Sequence, residues 1–300
     1  MLETEQPLSI LVTGGAGQVG LELLAAKWPD HITLHAPARS ELDLGNPSAI
    51  ERLFSSRAYA AVINSGAYTA VDQAENEVAA AYSANALGPA LLADATRAAG
   101  IPLIQVSTDY VFDGAHVGEY NEDEAVQPLG VYGASKLAGE MAVLRGNPRS
   151  AVLRTAWVVS QHRTNFVKTM LRLATERHTL RVVNDQHGNP TSARDIAEAL
   201  KTITLRMIED EAAPRGIFHF VNAGATTWAG LAREVLALSE AHGGPTAKVE
   251  NITTAEFPTL ASRPANSRLA TQRIQREYGV VPRPWQSAVY EIVDQLSAKE

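Results

Sequence analysis

The sequence predicts an α/β protein, a Rossmann-type doubly wound parallel sheet with a smaller C-terminal domain. Short β-branched runs alternate with helical stretches through the first half. A glycine-rich turn joins the first run to the first helix, and the alternation loosens after Ser150. Strand-helix alternation with short loops is the pattern of a parallel sheet covered on both faces.

Ser9 to Thr13 (SILVT) is the first strand, ending in GGAGQVG before the helical LELLAAKW. Gly14, Gly17 and Gly20 fall in the spacing G-x-x-G-x-x-G. Glycines there permit a tight turn and close backbone approach, and the following helix N-terminus can receive a pyrophosphate. The stretch therefore predicts a dinucleotide site, in the form found in the extended short-chain dehydrogenase/reductase superfamily. His31 to Ala36 is the second strand, followed by PARSELDL. An acid near the end of this strand would grip both ribose hydroxyls. None stands there, and Arg39 does. Arg39 is either a partner for a 2′-phosphate or a solvated loop charge. Ala60 to Ile63 is the third strand, and NSGAY follows it. The small residues Gly66 and Ala67 let the backbone approach a cofactor, with Tyr68 as a flanking ring. Residues 71–100 read as one long helical stretch, broken near Gly88-Pro89 and ended by Gly100.

The chemistry is concentrated between Gln105 and Leu137. Apolar Ile101 to Val106 reads as a buried strand with Ser107-Thr108 at its carboxyl end. Ligands of an open parallel sheet sit outside those ends, so Thr108 is placed to hydrogen-bond a substrate carbonyl. In VYGASKLAGE, Tyr132 and Lys136 stand four residues apart in a helical pattern and project from the same face. A lysine beside a phenol favours the phenolate. A carbonyl reductase needs such a group, because hydride on carbon must be matched by a proton on oxygen. Taken alone, Y-x-x-x-K is also an ordinary helical pair and Ser-Thr a helix-cap signal.

Beyond Ser150, Ala151 to Val159 reads as a strand and NFVKTMLRLATERH as an amphipathic helix. RVVNDQHGNPTSARDIAEALKTI reads as strand, Gly/Pro turn and helix, with Thr191 or Ser192 as the cap. Gly216 to Val221 is a further strand, Trp228 to His242 a helix, and a last helix starts at Pro284. The expected division is residues 1–155 for the cofactor and 156–300 mainly for the substrate, with some elements returning to the main sheet.

Composition narrows the class. A net charge of -7 gives no electrostatic case for nucleic acid or an anionic membrane. No apolar run approaches a membrane span, and the N-terminal MLETEQPLS lacks the pattern of a secretory signal. With no cysteine there is no disulfide framework and no thiolate chemistry. A cytoplasmic enzyme is expected.

With STDYVFDG, VYGASKLAGE, NFVKTMLRLA, NDQHGNPT and RPANSRL in order, the chain resembles the dTDP-4-dehydrorhamnose reductase family over nearly its whole length. The resemblance implies reduction of a dTDP-linked 4-keto-6-deoxy sugar, dTDP-4-dehydro-6-deoxy-L-mannose, to dTDP-L-rhamnose, while the missing acid after Ala36 and the presence of Arg39 predict NADPH as cofactor, with NADH also accepted. It implies Tyr132 as proton donor, Lys136 as its partner and ribose ligand, and Thr108 on the C4 carbonyl with Asp109 beside the sugar. It places Gly17, Gln18, Val19, Asp43, Leu44, Ala67 and Tyr68 along the cofactor. Trp157 is either against the sugar or nicotinamide or in the core. Asn165, Lys168, Arg263 and Asn266 are candidates for the nucleotide diphosphate, although a solvated surface charge also describes Lys168. Some members dimerise through magnesium on two glutamates. Glu22 fits the first position but Arg194 stands at the second, so a monomer without metal is expected, a homodimer being the alternative. Two other readings compete. A dehydratase or epimerase of the superfamily would carry Asp-Glu after the threonine, whereas Asp109-Tyr110 stands here. A silent regulatory relative could dispense with Tyr132 or Lys136.

Overall fold

The computed structural model describes residues 7–298. Most of the N-terminal MLETEQPLS, with its expected lack of a secretory signal, lies outside them. In chain order the first half holds β1 (Leu8–Thr13), α1 (Gln18–Ala25), β2 (Ile32–His35), α2 (Pro47–Ser56) and β3 (Ala61–Asn64). There follow α3 (Val71–Ala74), α4 (Val78–Tyr82), a π-turn (Ser83–Leu87), α5 (Gly88–Ala98), β4 (Leu103–Thr108) and α6 (Val131–Gly146). The second half holds β5 (Ser150–Thr155), β6 (Val158–Val159), α7 (Phe166–Glu176), β7 (Thr179–Val183), β8 (His187–Gly188), β9 (Thr191–Ser192) and α8 (Ala193–Glu209). It ends with β10 (Gly216–His219), β11 (Thr226–Thr227), α9 (Trp228–Ala241), β12 (Lys248–Ile252), β13 (Asn266–Ser267), α10 (Gln272–Tyr278) and α11 (Trp285–Ser297).

Six parallel strands form the main sheet in the order β10-β5-β4-β3-β1-β2. Alternate residues of β1 face opposite layers, as period two requires: Ile10 and Val12 pack with Leu23 of α1 and Ile196, Leu200 and Ile203 of α8. Leu11 joins Ile50 of α2, Leu92 of α5 and Val143 of α6 on the other side. This is the Rossmann-type doubly wound sheet that the alternation predicts. Its strand order reverses between β1 and β3, the switch point where ligands of such sheets bind. From the second half, β10 extends the sheet at β5 and α8 covers one face. A separate apolar cluster joins α7, α9 and α11 to the parallel pair β7-β12.

Three local features depart from the sequence reading. The stretch 71–100 breaks first after Ala74 and then passes Gly88-Pro89 through a π-turn. Pro89 has no N–H to give to the carbonyl of Asn85 four residues back, and the wider turn absorbs that loss. The run Ala151 to Val159 is not one strand: the chain leaves the sheet after Thr155, and Trp157 adopts a left-handed φ of 49°. Val158 and Val159 pair instead with Thr191 and Ser192. The sequence reading did not identify the helices α2 and α10 or the strand β12, although Asn46-Pro47 is a start signal for α2.

Candidate active site

Chemistry-bearing residues gather where β1, β3 and β4 end. Gly14 turns with φ 70°, and a Cβ there would lie 2.6 Å from the Gly66 backbone nitrogen. A Cβ on Gly20 would lie 2.2 Å from the Gly14 carbonyl oxygen. The first turn of α1 therefore lies directly on the glycine loop, with Gly17 as N-cap and no side chain capping it. The first N–H groups of α1 thus have no side-chain cap, the arrangement in which a helix start can receive an anion. Behind the loop, Thr13 donates to Asn64 Oδ1, and Asn64 Nδ2 donates to Gln105 Oε1 at 2.6 Å. The ends of β1 and β3 are thus tied by side chains to each other and to the middle of β4. Ala36, at the end of β2, touches Gly15. Arg39, three residues on, is exposed. Asp43 is also exposed, while Leu44 packs against Gly66 and Gly88.

Tyr68 flanks this cradle. Its N–H donates to Asn85 Oδ1 at 2.8 Å, and Asn85 Nδ2 donates to Ser135 Oγ on α6 at 3.0 Å. Asn85 is buried in the π-turn and joins the loop after β3 to the helix of Tyr132 and Lys136. The sequence reading missed it. A signal was present, since an asparagine stands four residues before a proline that cannot complete its turn. Gly139 makes room on α6 for the freed Asn85 carbonyl, which a Cβ would approach to 2.0 Å.

Tyr132 and Lys136 do share one face of α6, and Thr108 closes β4 opposite them. Thr108 Oγ1 donates to Asp109 Oδ1 at 3.0 Å and accepts from the Tyr110 N–H. The Tyr110 ring meets the Tyr132 ring edge-on, with centroids 5.3 Å apart. Burial pushes the Tyr132 phenol well above its ordinary range, against a hydrogen bond with Thr108 that pulls it down. The expectation of a lowered phenol therefore does not hold in the free protein, where burial and then the charges of Asp109 and Tyr110 raise it. Lys136 is 4% exposed, and burial brings it down to about 8, against the charge of Glu140. Its Nζ donates to the Val106 carbonyl at 2.7 Å. Glu140 is held on its other side by Arg154 through two bonds of 2.9 and 2.7 Å, both side chains being buried. Asp109 is 3% exposed, and burial raises its carboxyl to about 6, against hydrogen bonds from Ser267 and Thr108.

The remaining candidates surround this centre. Trp157 stacks on Trp228 at 3.6 Å and lies against Gly188, which leaves no room for a side chain there. Those contacts hold its left-handed backbone. Arg263 donates to Asp72 at 2.6 Å and to the Tyr110 hydroxyl at 3.3 Å. Asn165 caps α7 and gives its amide to Gln18, Ser160 and His162. Asn266 gives its amide to the carbonyls of His116 and Gly118. Both amides are thus committed inside the protein, and Lys168 Nζ donates to the Gln161 carbonyl at 3.3 Å. Glu22 faces His162 at 3.2 Å, and Arg194 faces Glu291 at 3.6 Å. No cluster of metal-ligating side chains and no helix able to cross a membrane is found among the described residues.

The comparisons with known proteins agree with one another. The family model described as the RmlD substrate binding domain matches residues 8–298. A dTDP-4-dehydrorhamnose reductase of Sinorhizobium fredii is 42% identical over 287 residues, spanning 95% of this chain and 97% of that protein. The solved dTDP-4-dehydrorhamnose reductase of Clostridium acetobutylicum superposes with a TM-score of 0.90 at 36% identity, covering 96% of this chain and 99% of that one. That of Bacillus anthracis, solved in complex with NADP, superposes with a TM-score of 0.89 at 30% identity, covering 97% and 100%. On the match along nearly its whole length, this chain belongs to the dTDP-4-dehydrorhamnose reductase family.

Proposed function

We propose that the protein reduces the C4 carbonyl of dTDP-4-dehydro-6-deoxy-L-mannose to give dTDP-L-rhamnose, using NADPH and also accepting NADH. The observation that carries this reading is the gathering of Thr108, Tyr132 and Lys136 at the end of β4, beside a backbone cradle at the switch point. The names of its relatives, and the NADP held by the Bacillus anthracis protein, support it. Gly14, Gly17, Gln18, Val19, Gly20, Leu44, Gly66, Ala67 and Tyr68 line the dinucleotide, with Asp43 toward the adenine and Arg39 toward the 2′-phosphate. When bound, the nicotinamide supplies a hydride.

The residues of the chain do the rest. Thr108 holds the carbonyl oxygen and Tyr132 gives it a proton, as the carbonyl π pair moves onto oxygen and a C–H bond forms at C4. A phenol lifted by burial keeps its proton at neutral pH, the form a donor needs. The Lys136 ammonium then favours the transient phenolate, which regains a proton from solvent. Asp109, Trp157 and Arg263 shape the sugar-nucleotide side. Lys168 lies at its rim, while Asn165 and Asn266 hold its walls through their internal bonds. Residues 156–300, apart from α8 and β10, form most of this side. The protein acts as a monomer without a bridging magnesium, so its mass in light scattering should not change with EDTA.

The test is NADPH oxidation with dTDP-4-dehydro-6-deoxy-L-mannose against its D-configured and GDP-linked counterparts. Turnover of the L-configured dTDP sugar alone is expected. Equal turnover of all three, or of none, would defeat the assignment.

A further inference from the structure

We propose that Glu75 is a positioning residue for Tyr132, a carboxylate from another part of the chain that caps the catalytic helix. The proposal rests on the reading of Tyr132 as proton donor. Helix α6 starts at Val131, one residue before Tyr132, and its N-cap Gly130 makes no side-chain cap bond. Its first turn carries no acidic residue of its own. A helix start left this way presents unpaired N–H groups and the positive end of its dipole. Glu75 Oε1 accepts from the Val131 N–H at 2.9 Å, across 56 positions of sequence.

Glu75 is itself held in place. It directly follows α3, and two further carboxylates, one on α3 and one just beyond it, tie this segment to the site. Asp72 receives Arg263 at 2.6 Å and the Ala261 N–H at 3.1 Å. Glu77 accepts from the Tyr68 hydroxyl at 2.8 Å. One segment, residues 72–77, thus grips the substrate-side loop at 261–263, the start of the catalytic helix and the ring beside the cofactor. Its carboxylates set where Tyr132 stands relative to both reactants. A displacement of about an ångström at the donor can cost up to a hundredfold in rate.

Gly130 allows a test from the opposite side of the contact. Its backbone is extended, at φ -152° and ψ 178°, so alanine is tolerated there. A Cβ would stand 2.5 Å from Glu75 Oε1, so the added methyl displaces the carboxylate and meets no backbone. The experiment compares Glu75→Ala, Glu75→Gln, Gly130→Ala and Tyr132→Phe by kcat, KM for the sugar nucleotide, cofactor affinity and thermal midpoint. Glu75→Ala and Gly130→Ala should each lower kcat about tenfold or more, with cofactor affinity and midpoint close to wild type. Glu75→Gln, which retains the accepting oxygen, should recover most of the loss. An inactive Tyr132→Phe beside a Glu75→Ala within twofold of wild type would overturn the positioning role alone. So would kcat losses that merely follow the thermal midpoint or that glutamine does not relieve. An active Tyr132→Phe would remove the donor reading and this inference with it.

Discussion

Replacing Asp109 by asparagine should make the protein more stable at neutral pH. Burial raises this carboxyl from 3.8 to about 6. A tenfold change in a proton equilibrium corresponds to about 1.4 kcal/mol, so ionising Asp109 costs the fold about 3 kcal/mol. The folded chain holds this proton more tightly than the unfolded chain. The penalty is therefore absent below the unfolded value, grows between 3.8 and about 6, and is complete above that. Asparagine cannot ionise and still offers Thr108 an oxygen, while losing the charge-assisted part of the bonds from Thr108 and Ser267. The raised value already includes those bonds, so Asp109→Asn should be about 3 kcal/mol more stable near pH 8. Near pH 4 the advantage should vanish or reverse slightly. Urea denaturation of both proteins at steps between these limits reads the difference, in which other titrating groups largely cancel. A difference that stays flat with pH, or a wild type more stable at the alkaline end, would refute the argument. Asp109 has a use that accounts for this cost. Its charge helps hold the Tyr132 phenol up and so keeps the proton on the proposed donor.

Tyr132→Phe should lower turnover by about two to four orders of magnitude, with cofactor affinity close to wild type; activity within threefold would refute the donor role. Lys136→Met should harm both kcat and cofactor affinity, and a purely kinetic defect would remove the ribose contact. Arg39→Ala should lower the NADPH/NADH ratio of catalytic efficiencies by about tenfold, since a partly exposed guanidinium–phosphate pair contributes on the order of 1 kcal/mol. A wild type that strongly prefers NADH, or a ratio untouched by the substitution, would show that Arg39 does not read the phosphate.

The elements legible in the sequence are those whose cause lies within one short window. G-x-x-G-x-x-G needs only its own backbone to make the turn on which α1 lies, and Tyr132 and Lys136 need only one helical turn to share a face. The six sheet strands were legible because each is a short apolar run between loops. Features that depend on a partner far along the chain were not. Nothing in Ala151 to Val159 marks the exit at Trp157, because its cause is the stack on Trp228 and the contact with Gly188. Strand β12 is mostly exposed and becomes a strand by pairing with β7, so periodicity gave it no signal. Asn85 and Glu75 act on α6 across 50 and 56 positions of sequence, and Asp72 meets Arg263 across 191.

The same distinction governs the charge at the proposed centre. From spacing alone, Lys136 stands beside Tyr132 and could equally pair with Glu140, one turn further along the helix. Such a pair would neutralise the ammonium that the chemistry needs. Arg154, from the neighbouring strand, takes both oxygens of Glu140 in the forked geometry of a guanidinium and carboxylate. Lys136, Glu140 and Arg154 together therefore carry one net positive charge when Lys136 is protonated, and all three are buried. With Lys136 brought down to about 8, that protonated form still predominates at neutral pH. Arg154 satisfies the carboxylate, and the remaining charge stays on the lysine, on the face of α6 that carries Tyr132. An uncompensated cation in a dry site is costly to the folded state, and in the proposed mechanism its use is to favour an oxygen that turns anionic only as its proton leaves.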